Sequence, residues 1–432
     1  MPTAAQETPQ EATTYQAPAE PGDDIPQHSP GPDEQTDPDP PILSAKAAIL
    51  IDETTGLTLY EHNARKRRYA ASTTKIMTAL LCVERGRLDE SVTVSERAAA
   101  IGEASINLAA GEKILLRHLL MGLLMRSGND AAVAIAETVG GDYDTFIAMM
   151  NARAKELRLT ETHFTNPHGL HHDDHYTTAY DLAQITRTAL AYEEIDRIIN
   201  TEEAVIPWPG KEWDRQLTNR NQLLHAWPPA DGVKTGYTKQ AGNCLIASAT
   251  IDGWRLISVC LDCKDRRVDS RALLEWGFAN FEQAQVVKKG IIPFACEVAK
   301  GTVKTMQVAA TEELLLPVKR GHEPPRPDID IMPVEAPVAE GQPLGQLWVN
   351  YAGVEYRIPL IAAESVTKSF RAKLVDHYIP AGTLLLLLAS SVGVLLHGAA
   401  AKIAGTRRRR IAQTKRKADR GRSRLSQRPG SH

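Results

Sequence analysis

Ala71-Ser72-Thr73-Thr74-Lys75 opens a mostly apolar run, Ile76-Met77-Thr78-Ala79-Leu80-Leu81-Cys82-Val83, and the rest of the chain is organised around this stretch. The run predicts a buried helix on which Ser72 and Lys75, three positions apart, are neighbours. A serine hydroxyl is a poor nucleophile alone, but a neutral lysine amine can take its proton, and burial favours that neutral form. Taken alone, the pair is equally compatible with an N-cap serine followed by a surface lysine. Ser365-Val366-Thr367-Lys368 repeats the spacing, and we attach no function to it.

Two further motifs follow in the chain. Ser127-Gly128-Asn129 interrupts a long helical pattern over residues 114–139, and such a break lets side chains project into a cleft. Lys234-Thr235-Gly236 precedes a strand-like stretch. Each motif alone is weak evidence, because Ser105-Ile106-Asn107 also has the Ser-x-Asn form and is predicted to be a loop. The three motifs in this order are the set found in penicillin-binding proteins and serine β-lactamases.

The charge of the 432-residue chain, which has room for two or three domains, is unevenly distributed. Residues 1–43 contain nine acidic residues, ten prolines and no Lys or Arg, which predicts a disordered acidic spacer. Residues 402–432 contain 12 Lys and Arg against one Asp. Such a tail is compatible with nucleic-acid binding, but the apolar segment before it favours a topology anchor near anionic lipid. We therefore predict no nucleic-acid partner.

Residues 379–401 lack any charged side chain and predict a transmembrane helix. As a helix they measure roughly 34 Å, against a bilayer core of ~30 Å. A buried core helix is the alternative, and the length and terminal position argue against it. The positive-inside rule predicts a cell-membrane protein with its basic tail in the cytoplasm and its larger part outside. Because Met1-Pro2-Thr3-Ala4 begins no signal peptide, we expect either an upstream start or a signal already removed.

The remaining patterns predict two folded regions. Residues 44–282 are expected to form an α/β (α+β) catalytic domain, with a hairpin at Ala47–Asp52 and Leu57–Tyr60. Helices follow, then strands at residues 244–250 and 254–261, and a closing helix at residues 268–281. Residues 283–366 contain short β-prone runs separated by Gly and Pro, which predicts a small all-β domain. Residues 367–378 are expected to be a linker to the span.

Beyond the motifs, several stretches are similar to those of the low-molecular-mass penicillin-binding proteins that are serine-type D-alanyl-D-alanine carboxypeptidases. These stretches are Leu123–Ala132, Thr165–Leu170, His175–Ala179, Asn219–Leu224, Asp231–Gly236 and Leu273–Phe278. The resemblance covers residues 45–282 well, and the β domain and anchor more loosely. It implies a serine β-lactamase/transpeptidase-like catalytic domain that uses no cofactor.

The resemblance also implies roles. Ser72 attacks the carbonyl between two D-alanines, and Lys75 is the base. Ser127 relays a proton to the leaving amine, while Asn129 orients Lys75 or the substrate amide. Residues implied for substrate binding are Lys234, Thr235 and Arg220 at the terminal carboxylate, Gly236 for close approach, and Tyr237, whose N–H joins that of Ser72 as an oxyanion donor. The implied partners are peptidoglycan stem peptides as substrates and β-lactam antibiotics as covalent inhibitors.

Two other functions stay open at this stage. A β-lactamase uses the same acylation machinery but must also deacylate the antibiotic quickly, and the sequence shows no clear counterpart of its deacylating glutamate. A non-catalytic penicillin-binding scaffold would retain the fold with a vestigial site. The intact residues Ser72, Lys75, Asn129 and Lys234 argue against that scaffold.

Three other patterns have competing interpretations. His171-His172-Asp173-Asp174-His175 suggests a metal site, but adjacent ligands in one loop rarely surround one ion, and we predict no metal. Cys260 and Cys263 have Cys-x-x-Cys spacing, but they end a strand, where positions three apart face opposite sides, so their thiols should diverge. Three tryptophans either line a substrate groove or pack on the surface: Trp208, Trp213 and Trp227.

Overall fold

The computed structural model describes residues 39–425, so the predicted spacer at residues 1–43 lies outside the described residues except at its end, as do residues 426–432 of the predicted tail. The first region contains β1 (Ala47–Asp52), β2 (Thr58–His62), a 3₁₀ turn (Ala71–Thr74), α1 (Lys75–Arg85), β3 (Ser91–Thr93), α2 (Glu96–Ala100), β4 (Lys113–Leu115), α3 (Leu116–Met125), α4 (Asn129–Gly140), α5 (Tyr143–Glu156), α6 (Ala179–Leu190), α7 (Glu193–Ile199), β5 (Glu203–Ile206), β6 (Arg215–Thr218), α8 (Gln222–Ala226), β7 (Ala230–Thr238), β8 (Gly242–Ile251), β9 (Trp254–Cys263) and α9 (Arg266–Asn280). The second contains β10 (Phe281–Val287), β11 (Gly290–Ala299), β12 (Thr305–Ala310), β13 (Leu314–Lys319), β14 (Asp328–Ile331), β15 (Val334–Glu335), β16 (Pro343–Tyr351), β17 (Val354–Ala362) and α10 (Phe370–Leu425).

A five-stranded antiparallel sheet in the order β2-β1-β9-β8-β7 forms the centre of the first region. Strand β1 is buried along its whole length, as its apolar sequence predicts for a strand covered on both faces. Its alternate residues face opposite sides, with Ile49 and Ile51 in the larger core and Leu50 in a smaller one. Helix α6 packs on the first face and α9 on the second. The predicted hairpin and closing helix are confirmed.

The edge strand β7 brings the three motifs together. The 3₁₀ turn ahead of α1 packs against β7, and α1 also contacts α4. The helical pattern over residues 114–139 is confirmed as α3 and α4, and the break between them covers Arg126–Gly128, one residue earlier than the predicted Ser127–Asn129. The site therefore lies where a sheet edge, a helix start and a helix break meet.

The second region is all-β, as predicted. Its main sheet has the order β14-β16-β17-β12-β11-β15, and β10 pairs separately with β13. Val308, Leu316, Leu347 and Leu360 are central to its own hydrophobic core, which Leu57 from the β1–β2 turn also joins. This region contributes no residue to the cavity described below.

Helix α10 begins at Phe370, within the predicted linker, and continues without interruption through the apolar segment and most of the basic tail. Its stretch Leu385–Lys417 includes a window long and apolar enough to cross a membrane, by length and composition. The large side chains described along this stretch, such as Leu386, Leu395 and Ile403, are exposed.

One geometric prediction is wrong. Cys260 and Cys263 do not diverge but lie in the same hydrophobic core. Asp262, between them, has a left-handed φ of 56°. Asn243 pairs with Cys263 and Leu245 pairs with Cys260, so β9 contains one more residue than β8 over this step, which marks a β-bulge. The neighbouring Cys260 thiol first, and burial second, raise the pKa of Cys263, so the thiol of Cys263 is a poor nucleophile.

Candidate active site

The turn that carries Ser72 is clamped by its surroundings. Ser72 lies in a 3₁₀ turn rather than on α1, and residues three apart are also aligned in a 3₁₀ turn, so the predicted contact with Lys75 is retained. Ala71 has φ 47°, a left-handed conformation uncommon for alanine. Thr74 Oγ1 lies 2.8 Å from Nε2 of His175. Gly169 packs so closely that a Cβ there would lie 1.9 Å from the Ala71 carbonyl oxygen.

Lys75 is fully buried and makes three polar contacts. Its Nζ lies 3.0 Å from Ser72 Oγ, 2.7 Å from Asn129 Oδ1 and 2.6 Å from the carbonyl oxygen of His168. Burial first, then the positive charges of Lys234 and Arg220, lower the pKa of Lys75 well below its usual 10.5. The contact between Asn129 and Lys75 fits the first of the two roles considered for that amide.

The identity of these acceptors decides which way the protons point. A neutral amine has two N–H groups and one lone pair. The oxygens of Asn129 and His168 only accept hydrogen bonds, so they take both N–H groups. The lone pair is then left facing Ser72 Oγ, whose O–H can donate to it. The geometry therefore suits a neutral Lys75 that removes the proton from Ser72.

The second motif occupies the break between α3 and α4. Ser127 is buried with φ 63°, and Asn129 begins α4 with its Nδ2 donating to the carbonyl of Gly102. Asp130 accepts hydrogen bonds from the backbone N–H groups of Ile106 and Leu108. These bonds fix the segment Ser105–Asn107, which forms the predicted loop rather than a second motif.

Lys234 connects the second and third motifs. Its buried Nζ donates to Ser127 Oγ at 3.0 Å and to the carbonyl of Thr235 at 2.8 Å. Burial, with the charges of Arg220 and Arg266, lowers the pKa of Lys234 to about 7. A Cβ at Gly236 would lie 3.1 Å from the backbone nitrogens of Ser72 and Thr73. Gly236 thus permits β7 to approach the Ser72 turn, a constraint within the protein that differs from the predicted approach to substrate.

A cavity of about 740 Å³ opens onto these groups. All the predicted site residues contact it or bond to its lining: Ser72, Ser127, Asn129, Arg220, Thr235, Gly236 and Tyr237 line it, and Lys75 and Lys234 lie directly behind. The lining carries three guanidinium groups against the carboxylates of Glu103 and Glu203. With two lysines beneath, the cavity suits an anionic substrate group.

Sequence reasoning missed four contributors to this site. Arg266, the first residue of α9, donates from Nη1 to the Gly236 carbonyl at 2.9 Å. Arg126 donates to the Thr218 carbonyl, two residues before Arg220. The negative charge of Glu103 raises the pKa of Lys75, but by less than burial and the neighbouring cations lower it. The carbonyl oxygen of His168 is a backbone group, which no residue pattern reports. Arg126 directly precedes Ser127 but was given no role, whereas Arg266 lies far along the chain from all three motifs.

The histidine-rich loop has structural contacts. His175 is buried, and its two ring nitrogens contact Thr74 and the Thr165 backbone, while burial lowers its pKa to about 3. His171 pairs with Asp173 at 3.2 Å on the surface. Over residues 39–425, no three His, Cys, Asp or Glu side chains are grouped as metal ligands would be.

None of the three tryptophans lines the large cavity. Trp227 is buried in the smaller core, Trp208 lies over the guanidinium of Arg215 at 4.6 Å, and Trp213 is exposed. Trp208 and Trp227 therefore pack against other side chains instead of lining a substrate groove.

Two known families match successive parts of the chain. Residues 34–265 match peptidase family S11, D-alanyl-D-alanine carboxypeptidase, and residues 281–368 match the penicillin-binding protein 5 C-terminal domain. The D-alanyl-D-alanine carboxypeptidase DacF of Bacillus subtilis (strain 168) is 35% identical over 339 residues, which cover 75% of this chain and 86% of that protein. The carboxypeptidase DacD of Salmonella typhimurium (strain LT2) is 32% identical over 363 residues, covering 79% and 91%.

Solved structures give the same result. Penicillin-binding protein 5 from Haemophilus influenzae is 30% identical with a TM-score of 0.63, covering 76% of this chain and 99% of that one. The Streptomyces K15 DD-transpeptidase is 32% identical with a TM-score of 0.54, covering 56% and 99%. The fold is thus that of a penicillin-binding protein, a catalytic α/β domain followed by an all-β domain. The chain belongs to the D-alanyl-D-alanine carboxypeptidase family of serine peptidases, and neither the β-lactamase nor the scaffold alternative is favoured.

Proposed function

We propose that this enzyme removes the terminal D-alanine from peptidoglycan stem pentapeptides through an acyl-enzyme on Ser72. The observation that carries the proposal is the buried contact of Lys75 Nζ with Ser72 Oγ, Asn129 Oδ1 and the His168 carbonyl, at the base of a cationic cavity. Such a pairing of hydroxyl and desolvated amine is the requirement for an activated serine nucleophile.

In the acylation step, Ser72 Oγ attacks the carbonyl between the two D-alanines, and its proton passes to the neutral amine of Lys75. A tetrahedral intermediate forms, with its oxyanion held by the backbone N–H groups of Ser72 and Tyr237; such donors are typically worth ~3 kcal/mol each. Ser127 relays a proton to the departing nitrogen, the C–N bond breaks, and free D-alanine leaves. Water then attacks the ester, which restores Ser72 and releases the shortened peptide.

The cations hold the terminal carboxylate of the substrate. Lys234 attracts it from below, Thr235 donates a hydrogen bond, and Arg220 supplies a further positive charge. Arg266 joins this set, supported by its position in the cavity lining and its bond to the Gly236 carbonyl. A β-lactam carries a comparable carboxylate beside its strained amide, so these antibiotics acylate the same hydroxyl.

We further propose that α10 anchors the enzyme in the cell membrane, with the catalytic domain outside and the basic tail in the cytoplasm. The apolar window in Leu385–Lys417 and the basic run that follows support this orientation. The proposed organisation is a spacer (residues 1–43), a catalytic domain (44–282), a β domain (283–366), a linker (367–378), a span (379–401) and a basic tail (402–432).

Two measurements on the full chain in detergent test the function. Wild type is expected to be labelled by fluorescent penicillin and to release D-alanine from a pentapeptide, while Ser72→Ala does neither. Rapid turnover of penicillin would instead indicate a β-lactamase. Failure of wild type in both assays would indicate a non-catalytic protein.

A further inference from the structure

Two buried asparagines lie on either side of Arg220 in the chain. Asn219 is 5% exposed and Asn221 is 2% exposed, whereas the Arg220 side chain between them is exposed and lines the large cavity. Within residues 39–425, no ion pair includes its guanidinium, so the direction of this side chain is set by the backbone. The N–H of Arg220 donates to the Met125 carbonyl at 2.9 Å, at the end of α3.

The side chain of Asn219 closes a tight turn around Arg220. Its Oδ1 accepts from the N–H of Asn221 at 2.9 Å, two residues further on, which is the hydrogen bond of an Asx turn. Its Nδ2 donates to two carbonyls at the end of α7, those of Ile199 and Thr201, at 3.2 and 3.1 Å. One amide therefore fixes both the shape of the turn and its position against α7, and neither of its N–H groups is left for the substrate.

Asn221 connects this turn to the strand that carries Lys234. Its Nδ2 donates to the Gly232 carbonyl at 2.7 Å, and its Oδ1 accepts from the N–H of Leu223 at the start of α8. Gly232 is two residues before Lys234 on β7, so their Cα atoms are at most about 7 Å apart. An added Cβ at Gly232 would lie 2.6 Å from Cδ1 of Ile199, so β7 packs against the same end of α7. The two cations of the proposed carboxylate site thus share one hydrogen-bonded frame.

We propose that Asn219 and Asn221 are positioning residues, which aim Arg220 at the terminal carboxylate of the substrate and hold it in register with Lys234. The inference rests on the proposed function, in which both cations bind that carboxylate. Asn221 does not line the cavity, so it acts on the substrate only through its neighbours. Because a long side chain loses rotamer freedom when it binds, a fixed backbone direction lowers the cost of binding. The frame therefore sets the selectivity for a free carboxylate over a neutral end.

The test uses the full chain in detergent and two pentapeptides that end in D-alanyl-D-alanine, one as the free acid and one as the terminal carboxamide. The measured quantities are kcat and KM for release of D-alanine from the acid or D-alaninamide from the amide. Wild type is expected to favour the acid by about a hundredfold in kcat/KM. Arg220, Lys234 and Thr235 all contact the carboxylate in the proposed complex, and one hydrogen bond to a charged group is worth about tenfold or more.

Serine substitutions remove the amide donors and keep a short acceptor in the turn. Asn221→Ser retains a side chain that can cap α8 but is too short to reach the Gly232 carbonyl, and Asn219→Ser loses the bonds to α7. Each should lower the preference for the acid by about tenfold, chiefly through a higher KM for the acid. Asn350→Ser, an exposed change in the β domain, should leave the preference unchanged.

A double-mutant cycle separates positioning from a general structural role. Arg220→Gln should lower the preference by about the same factor as Asn221→Ser. The double variant should lose no more than either single variant, because both changes remove the same contact with the substrate. Saturating labelling by fluorescent penicillin counts the folded fraction of each variant, so that kcat refers to folded enzyme.

An equal loss on acid and amide in the two serine variants would overturn this inference, because the asparagines would then act through the fold. Additive losses in the double variant, or an unchanged preference in Arg220→Gln, whose side chain is exposed, would overturn it as well. Release of D-alanine by wild type without a preference for the acid would overturn this inference and leave the proposed function intact. No release from either peptide would overturn both.

Discussion

At the scale of single residues, catalysis depends on the protonation of two buried lysines. Lys75 must be neutral to accept a proton, and Lys234 must be charged to attract a carboxylate. Burial and neighbouring cations lower both pKa values, that of Lys75 far below 10.5 and that of Lys234 to about 7. Activity requires that Lys75 has lost its proton while Lys234 has kept its proton. The dependence of activity on pH therefore reports the pKa values of both groups.

We therefore expect kcat/KM for D-alanine release to be bell-shaped. The rate rises with pH as Lys75 loses its proton and falls above about pH 7 as Lys234 loses its charge. Lys234→Arg keeps its charge throughout and should move the alkaline limb above about pH 9, whatever its effect on the maximum. Lys239→Arg, on the exposed turn after β7, is the matched control. An alkaline limb that stays in place in Lys234→Arg would contradict the role of Lys234.

Asn129 permits a second residue-scale test. Asn129→Asp puts a carboxylate about where the amide oxygen now lies, 2.7 Å from Lys75 Nζ. A nearby negative charge favours the ammonium form, so the pKa of Lys75 should rise and the acid limb should move up by about 1–3 pH units. Asn107→Asp, an exposed change outside the cavity, should leave the profile unchanged. An unshifted acid limb in Asn129→Asp would mean that Lys75 is not the base.

At the scale of secondary-structure elements, the Ser72 turn is held in place by a glycine of the loop opposite. Gly169 has φ +83°, and an added Cβ would lie 1.9 Å from the backbone oxygen of Ala71. Gly210 has nearly the same φ, +80°, with nothing within 4 Å. Alanine substitutions at these two glycines therefore distinguish the cost of left-handed backbone strain from the cost of a steric clash.

Gly210→Ala should cost only the left-handed strain, about 1–2 kcal/mol in the free energy of unfolding. Gly169→Ala adds a backbone clash and should cost about 3 kcal/mol or more, with slower acylation by penicillin because Ala71 adjoins Ser72. Urea titration and acylation kinetics measure both effects. Equal costs for the two substitutions would show that Gly169 does not clamp the turn.

Element by element, the sequence predicted what periodicity and motif order encode. The β1–β2 hairpin, the α3–α4 break and the closing helix α9 follow from apolar spacing and breakers. The 3₁₀ turn at Ser72 was not predicted, because 3₁₀ and α segments share the same i, i+3 pattern. The thiols at Cys260 and Cys263 were misplaced because a bulge shifts strand alternation, and only the partner strand reveals a bulge.

At the scale of the whole molecule, the gathering of the motifs was predicted from family resemblance rather than from physical spacing. Ser72, Asn129 and Lys234 are far apart in the chain, and no local property places them together. Arg266 and the His168 carbonyl came only from the structure, since one begins a distant helix and the other is backbone. The continuity of α10 across a predicted linker was likewise invisible, because residues 367–378 have no strong helical pattern.

Membrane attachment gives a whole-molecule prediction. None of the three core clusters includes a described residue of α10, so removing residues 370–432 should leave the folded regions intact. The truncated chain is expected in the soluble fraction with undiminished D-alanine release, whereas the full chain should remain with membranes after an alkaline wash. Truncated protein that still sediments with membranes would contradict the assignment of the anchor to α10.

The central claim is that a neutral lysine activates one serine to take the acyl group from a D-alanyl-D-alanine end. The most direct measurement follows the intact mass of the full chain during turnover of a pentapeptide, alongside the D-alanine released. Wild type should show a transient adduct on Ser72 equal in mass to the peptide less one D-alanine, with one D-alanine released per peptide, and Ser72→Ala should show neither. Undiminished release of D-alanine by Ser72→Ala would contradict the account.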